Sequence, residues 1–288
     1  MNTAEYLNKW AISYKDDIIN NIMPFWMKYG LDKEHGGVYT CVNRDGSLMD
    51  TTKSVWFQGR FGFIAAYAYN NIEKNPQWLA ASKSCIDFIE AHCFDTDGHM
   101  FFEVTEDGVP LRKRRYVFSE GFAAIAMAEY SLATGEKEYA EKALEIFKRT
   151  QHFLDTPGML EPKYLPAMSS RGHSITMILI NTASRIRMVI DDPVLTEQID
   201  ASIAALRKYF IHPEFKALLE MVGPNGEFID TCNGRVINPG HCIETAWFIM
   251  EEAKYRNWDK DLLQLALQIL DWSWEWGWDK EFGGIINF

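Results

Sequence analysis

Cysteine is sparse. Cys41, Cys85, Cys93, Cys232 and Cys242 are odd in number, and no two form a Cys-x-x-Cys pair. That excludes a sequence-evident disulfide framework or thiolate zinc site and points to a reducing compartment. Basic charge is also short: 29 Lys and Arg face 40 Asp and Glu, a net charge of −11. Such a chain is a poor match for nucleic acid or an anionic membrane surface. The longest apolar runs, such as Phe61 to Tyr69, fall short of a membrane span. The start, Met1-Asn2-Thr3-Ala4-Glu5, carries no basic and apolar leader. A glycine-rich phosphate loop and a parallel-sheet pattern are lacking as well. The expectation is a cytoplasmic protein that handles a small molecule, with no nucleic acid and no membrane.

Aromatics, by contrast, are plentiful: ten Trp, twelve Tyr and eighteen Phe in 288 residues. They fill large cores and also line pockets for sugars and other ring-shaped ligands. Apolar residues at helical spacing predict helices over about 3–28, 55–72, 76–92, 118–133, 136–153, 172–190, 193–211, 239–256 and 258–276. They come in pairs, a tight turn within each pair and a long loop between pairs, at a period near sixty residues. Asn43-Arg44-Asp45-Gly46 and Glu106-Asp107-Gly108 mark hairpin turns inside the long loops. The pattern predicts an all-α protein, an (α/α)6 barrel of helix hairpins in a single domain over 1–288, with short β-hairpins in long loops that gather on one face. Function is expected on that face.

One repeat is nearly literal. Gly30-Leu31-Asp32-Lys33-Glu34-His35-Gly36-Gly37 returns as Gly277-Trp278-Asp279-Lys280-Glu281-Phe282-Gly283-Gly284. The first copy introduces a hairpin and then a helix, whereas the chain stops just after the second. The repeat logic makes the expected barrel one that lacks its last few helices, roughly three of twelve.

The stretch richest in chemistry is Asn238-Pro239-Gly240-His241-Cys242-Ile243-Glu244. It reads as a helix N-terminus, with Asn238 as cap and Pro239 in the first helical position. His241 then falls in the first turn, where the positive end of the helix favours neutral imidazole. Glu244 follows one turn on, on the same face, placed to orient the ring or share in proton transfer. A capped helix with an ordinary first-turn histidine has the same spacing. His241-x-x-Glu244 also occurs in di-metal bundles, but no second Glu-x-x-His element accompanies it, so no metal is expected.

Taken together, Val55-Trp56-Phe57-Gln58-Gly59-Arg60, Arg112-Lys113-Arg114-Arg115-Tyr116-Val117-Phe118-Ser119-Glu120, Asn238-Pro239-Gly240-His241 and the two Gly-x-Asp-x-Glu-x-Gly-Gly loops resemble the N-acylglucosamine 2-epimerase family. The resemblance implies a barrel of six helix hairpins and an isomerase that inverts C2 of an amino sugar, interconverting N-acetylglucosamine and N-acetylmannosamine. It implies that His241 is one of two catalytic histidines, that Arg60 is an active-site arginine, and that Glu244 is the acidic residue one turn after the histidine. The family's second histidine and a further glutamate match no residue of this sequence. No cofactor is required; members are commonly dimers, and some respond allosterically to ATP. A homodimer is therefore expected.

Trp56 and Tyr116 each precede an inner helix and are candidate plates for a sugar ring, with core packing the plainer alternative. Gln58 is close enough to Arg60 to share a site. His173 opens the helix at 172 and faces the same rim; it is taken as a substrate contact against the plainer reading of a capped or exposed histidine. The run Arg112 to Arg115 reads as a solvated loop. Cellobiose 2-epimerases and aldose–ketose isomerases of the same fold share the first proton abstraction. A non-catalytic carbohydrate-binding protein on the same barrel is the alternative class, and a glycoside hydrolase using Asp230 and Glu244 a third.

Overall fold

The computed structural model describes residues 2–113, 116–160 and 169–287. Arg114 and Arg115 of the basic run lie outside them. The chain forms two compact units: Met1–Leu160 with Met188–Ile190, and Glu161–Arg187 with Asp191–Phe288.

The first unit opens with helix α1, Thr3–Asp17, a π turn over Ile18–Ile22, and α2, Met23–Tyr29. Asn2 and Glu5 make a reciprocal capping box at the start. The π turn comes just before Pro24, which has no N–H for a regular helical bond; widening the helix there keeps it continuous. Two hairpins follow: α3 (Val55–Asn71) with α4 (Pro76–His92), and α5 (Phe118–Thr134) with α6 (Lys137–Asp155).

Helix α5 is buried from Ser119 to Ser131, so it is the core of this unit. It runs parallel to α3 at very short range. A methyl group added at Gly59 would stand 2.6 Å from the Phe122 carbonyl carbon, and one at Gly62 would stand 3.3 Å from the Ala126 Cβ. The far ends are tied by Asn70, whose amide donates to the Glu129 carboxylate at 2.8 Å. Small residues on facing stripes thus let two inner helices lie side by side with their N-termini at the same end.

The loops feeding these helices carry the short strands. β1 (Cys41–Val42) pairs with β2 (Leu48–Asp50), and β3 (Lys53–Ser54), β4 (Phe101–Val104) and β5 (Pro110–Lys113) form a three-stranded antiparallel sheet. The literal sequence repeat is also a structural one. In the first copy the Asp32 side chain accepts from Glu34 N and His35 N, and Asp32 N donates to Gly37 O. In the second, Asp279 accepts from Glu281 N and Phe282 N, and its N–H donates to Gly284 O. The closing Gly-Gly of each copy, Gly36-Gly37 and Gly283-Gly284, has positive φ at both residues, as the turn demands.

The second unit holds α7 (His173–Arg187), α8 (Pro193–Ala205) extended by a π turn over Leu206–Phe210, α9 (Pro239–Tyr255) and α10 (Lys260–Gly277). Helices α7 and α9 repeat the relation of α3 and α5. They run parallel, joined near their C-terminal ends by Arg187, which donates to the buried Glu252 carboxylate at 2.5 Å. The two-residue strand β6 (Arg171–Gly172), directly ahead of α7, pairs antiparallel with β7 (Met221–Val222) in the loop that leads to α9.

Candidate active site

In the second unit the register of the β6–β7 pair sets the site. Arg171 faces Val222 and Gly172 faces Met221, so the next residues in step are His173 and Glu220. The His173 N–H donates to the Glu220 carbonyl at 3.0 Å. His173 is thereby the first residue of α7 and is held against the only acid of the run Ala217-Leu218-Leu219-Glu220-Met221-Val222. On α9 the expected cap is in place: the Asn238 side chain accepts from His241 N at 3.2 Å, and Pro239 takes the first helical position.

The three side chains converge. His241 Nδ1 lies 3.0 Å from Glu220 Oε2, and His173 Nδ1 lies 3.5 Å from the same oxygen. The two rings are 6.4 Å apart, centroid to centroid. His173 is fully buried, Glu220 is 23 % exposed and His241 is 34 % exposed, so the cluster grades from core to an accessible edge. Burial pushes the Glu220 carboxyl up, but the two histidines beside it, His173 and His241, outweigh burial and bring it down to about 2. Glu220 is therefore a carboxylate throughout the physiological range.

Hydrogen-bond direction follows from that charge. A carboxylate accepts, so His241 Nδ1 carries hydrogen toward Glu220 and Nε2 is the unprotonated nitrogen of the neutral ring. Behind it, Thr245 Oγ1 donates to the His241 carbonyl at 2.8 Å, which leaves the same oxygen to accept from His173 Nε2 at 2.9 Å. Cys242, one residue beyond His241, is no nucleophile: burial pushes its thiol up to about 12.

The sequence-derived assignments fare differently. His241 and His173 stand together, though His173 is wholly buried and not exposed. Glu244 is exposed, and the carboxylate that holds the His241 ring is Glu220. Sequence reasoning missed Glu220, whose signal was an isolated acid in an apolar run. Gln58 is completely buried and its amide is spent on the backbone of Val38, Oε1 accepting at 2.9 Å and Nε2 donating at 2.5 Å. That corrects the expectation of a ligand contact: Gln58 fastens the loop to α3.

Arg60, Trp56 and Tyr116 belong to the first unit and share one aromatic neighbourhood. The Arg60 guanidinium lies 4.4 Å from the Phe122 ring centre and is exposed, also lining a hollow of about 270 Å³ with Trp26, Tyr39 and Phe57. Trp56 packs edge-on to Phe102 at 5.2 Å and against Phe118 at 5.2 Å, and Tyr116 meets Phe118 edge-on at 6.1 Å. Trp56 and Tyr116 are thus half-buried members of an aromatic cluster and not isolated plates.

The profile of the N-acylglucosamine 2-epimerase (GlcNAc 2-epimerase) family matches residues 37–288. The chain belongs to that family. It is 30% identical over 293 residues to the human N-acylglucosamine 2-epimerase, covering 99% of this chain and 68% of that one. The mouse N-acylglucosamine 2-epimerase is 29% identical over 297 residues, with 99% and 69% covered. Among solved structures, cellobiose 2-epimerase from Bacillus thermoamylovorans B4167 superposes with a TM-score of 0.84 at 20% identity, over 97% of this chain and 78% of that one. The fold is of the (α/α)6-barrel class, and family membership makes the protein an isomerase of the sugar-epimerase kind. Among the described residues, no helix is long and apolar enough to cross a membrane.

Proposed function

We propose that this family member inverts C2 of an N-acylglucosamine, interconverting the gluco and manno epimers through the ring-opened sugar. In the open form C1 is an aldehyde, which makes the C2 hydrogen acidic. Loss of that proton gives an enolate-like intermediate, and its return to the opposite face gives the epimer. The observation that carries the reading is the His241–Glu220 pair. A permanently ionised carboxylate holds Nδ1–H, fixes the tautomer and raises the basicity of Nε2, which is what a general base at neutral pH requires.

Arg60 is proposed to hold the oxygen on which negative charge develops. One such donor contributes roughly 2.7–4 kcal/mol to the transition state. Trp56 and Tyr116 are proposed to border the sugar, and the exposed Glu244 to hydrogen-bond a hydroxyl. The proton that inverts C2 comes from an acid on an element other than α9. The overall reaction changes no oxidation state, so the proposal includes no redox cofactor. It further places the protein in the cytoplasm as a homodimer, with ATP as an allosteric effector.

The test is incubation of the chain with N-acetylglucosamine in deuterium oxide, followed by proton NMR. Exchange at C2 together with appearance of the mannosamine epimer is expected. Turnover of cellobiose or mannose in its place overturns the substrate assignment, and absence of C2 exchange with any of them overturns the proton-abstraction reading.

A further inference from the structure

The side of the His173 ring that faces Glu220 has an unusual electrostatic situation. Thr245 Oγ1 spends its hydrogen on the His241 carbonyl. It can meet His173 Nε2 only as an acceptor, so Nε2 carries the hydrogen. In the neutral ring Nδ1 is then a bare lone pair. That atom is completely buried without a hydrogen-bond partner and stands 3.5 Å from a carboxylate oxygen. Two electron-rich atoms facing each other inside a protein repel, and the arrangement is relieved by positive charge between them. A proton on Nδ1 is one such charge. A metal ion is the other.

We propose that His173 Nδ1, Glu220 and His241 Nδ1 form a site for one late first-row divalent cation, with Zn²⁺ as the representative. The three ligand atoms lie within 4.8 Å of one another. Zinc binds imidazole nitrogen and carboxylate oxygen at about 2.0–2.2 Å, which in a tetrahedron sets neighbouring ligand atoms roughly 3.3–3.5 Å apart. The observed separations from Glu220 Oε2, 3.0 Å and 3.5 Å, bracket that edge length. Two imidazoles with one carboxylate favour zinc, copper or nickel over magnesium, which prefers oxygen ligands. The second sphere is built too: Thr245 holds the far nitrogen of His173, as second-sphere partners of metal-bound histidine commonly do. The partly exposed edge at His241 provides entry and a fourth position for water.

Binding requires His241 Nδ1 as a lone pair. The neutral ring has a single N–H, so it changes tautomer on binding: Nδ1 gives its hydrogen to solvent, Nε2 takes one up, and no net proton is released. On the reading of His241 as the base through Nε2, the ion is an inhibitor and competes with catalysis.

The probes are Zn²⁺ itself, measured by equilibrium dialysis, and Co²⁺, measured by visible absorption. The expected result is one Zn²⁺ per chain, unaffected by excess Mg²⁺, and a Co²⁺ spectrum of low-coordinate type. Glu220→Gln and His241→Ala should each weaken binding by more than about 100-fold, beyond the range for loss of a second-sphere contact. Circular dichroism checks that each variant is folded, and the wild-type Co²⁺ spectrum tests the site without any variant. No stoichiometric uptake by the wild-type chain, or uptake that survives both substitutions, overturns the proposal. Uptake that abolishes C2 exchange supports both readings. Uptake with exchange undiminished keeps the metal site and removes His241 Nε2 as the base.

Discussion

His241 Nδ1 and Glu220 Oε2 are 3.0 Å apart although the residues are separated by 21 positions and by a loop that holds the two-residue strand Met221–Val222. One sits in the first turn of a capped helix, the other at the end of a strand pair. Their meeting gives the site its fixed negative charge and gives the ring its tautomer.

That pairing predicts the catalytic cost of losing the charge. Glu220→Gln keeps the shape but not the carboxylate, so Nδ1 loses the partner that defines it. We expect kcat for epimerisation to drop by roughly 10²–10⁴-fold with KM changed far less, the scale of general-base catalysis. His241→Ala should fall to the limit of detection in the same steady-state assay. A Glu220→Gln enzyme within about threefold of wild type, well below that scale, shows that the carboxylate is not needed to orient the base.

The same carboxylate should register in acid stability. Its folded pKa, about 2, is below its ordinary 4.5, so its stabilisation is present above pH 4.5 and is lost as pH falls toward 2. The loss is roughly 3 kcal/mol over that window. Denaturant titrations at a series of pH values should show a shallower acid slope for Glu220→Gln than for wild type.

Glu120 predicts the opposite dependence. It is buried at the start of α5, where burial pushes its carboxyl up to about 7, while one oxygen accepts from Met100 N at 2.9 Å. A carboxyl raised in the fold favours the protonated form, so stability should decline as pH rises from about 4.5 through 7. Gln58 performs the same service for Val38 N without a charge. Glu120→Gln should accordingly stabilise the protein by roughly 2–4 kcal/mol at pH 8 and by little at pH 4, measured by urea unfolding. Equal effects at both pH values are incompatible with a buried titrating carboxyl.

Gly59→Ala should destabilise far more than Gly62→Ala. The first new methyl meets backbone at 2.6 Å, which cannot rotate away; the second meets a methyl at 3.3 Å. Separating α3 from α5 is expected to cost about 1–3 kcal/mol, visible as a lowered Tm, against a small change at Gly62.

Lys53 and Asp32 form an ion pair at 2.7 Å with both side chains essentially inaccessible. Lys53 Nζ also donates to the carbonyls of Gly36 and Glu106, joining two long loops. Lys53→Met leaves the carboxylate of Asp32 buried without its partner, for an expected cost of roughly 3–5 kcal/mol. Adding Asp32→Asn should recover part of it in a double-mutant cycle; a strictly additive result argues that the two groups do not interact.

Much of this protein was legible along the chain because its interactions are local. Helix pairs follow from 3.6-residue spacing, the α9 start from Asn238 and Pro239, and the aspartate-centred turn from two matching octads, whose hydrogen bonds reach no further than six residues. Glu220 was not legible, because its meaning comes from the strand register that sets it beside His173 and from the helix that brings His241 to its other side. Gln58 misled for a related reason: proximity to Arg60 in sequence does not reveal that its amide is consumed by Val38, twenty residues back. The sequence by itself determined the helix pairs, the family and the histidine at the helix start, since short-range backbone geometry decides those. Tertiary structure alone decided which carboxylate holds that histidine and which polar groups are already occupied, because both depend on contacts between segments that no spacing rule connects.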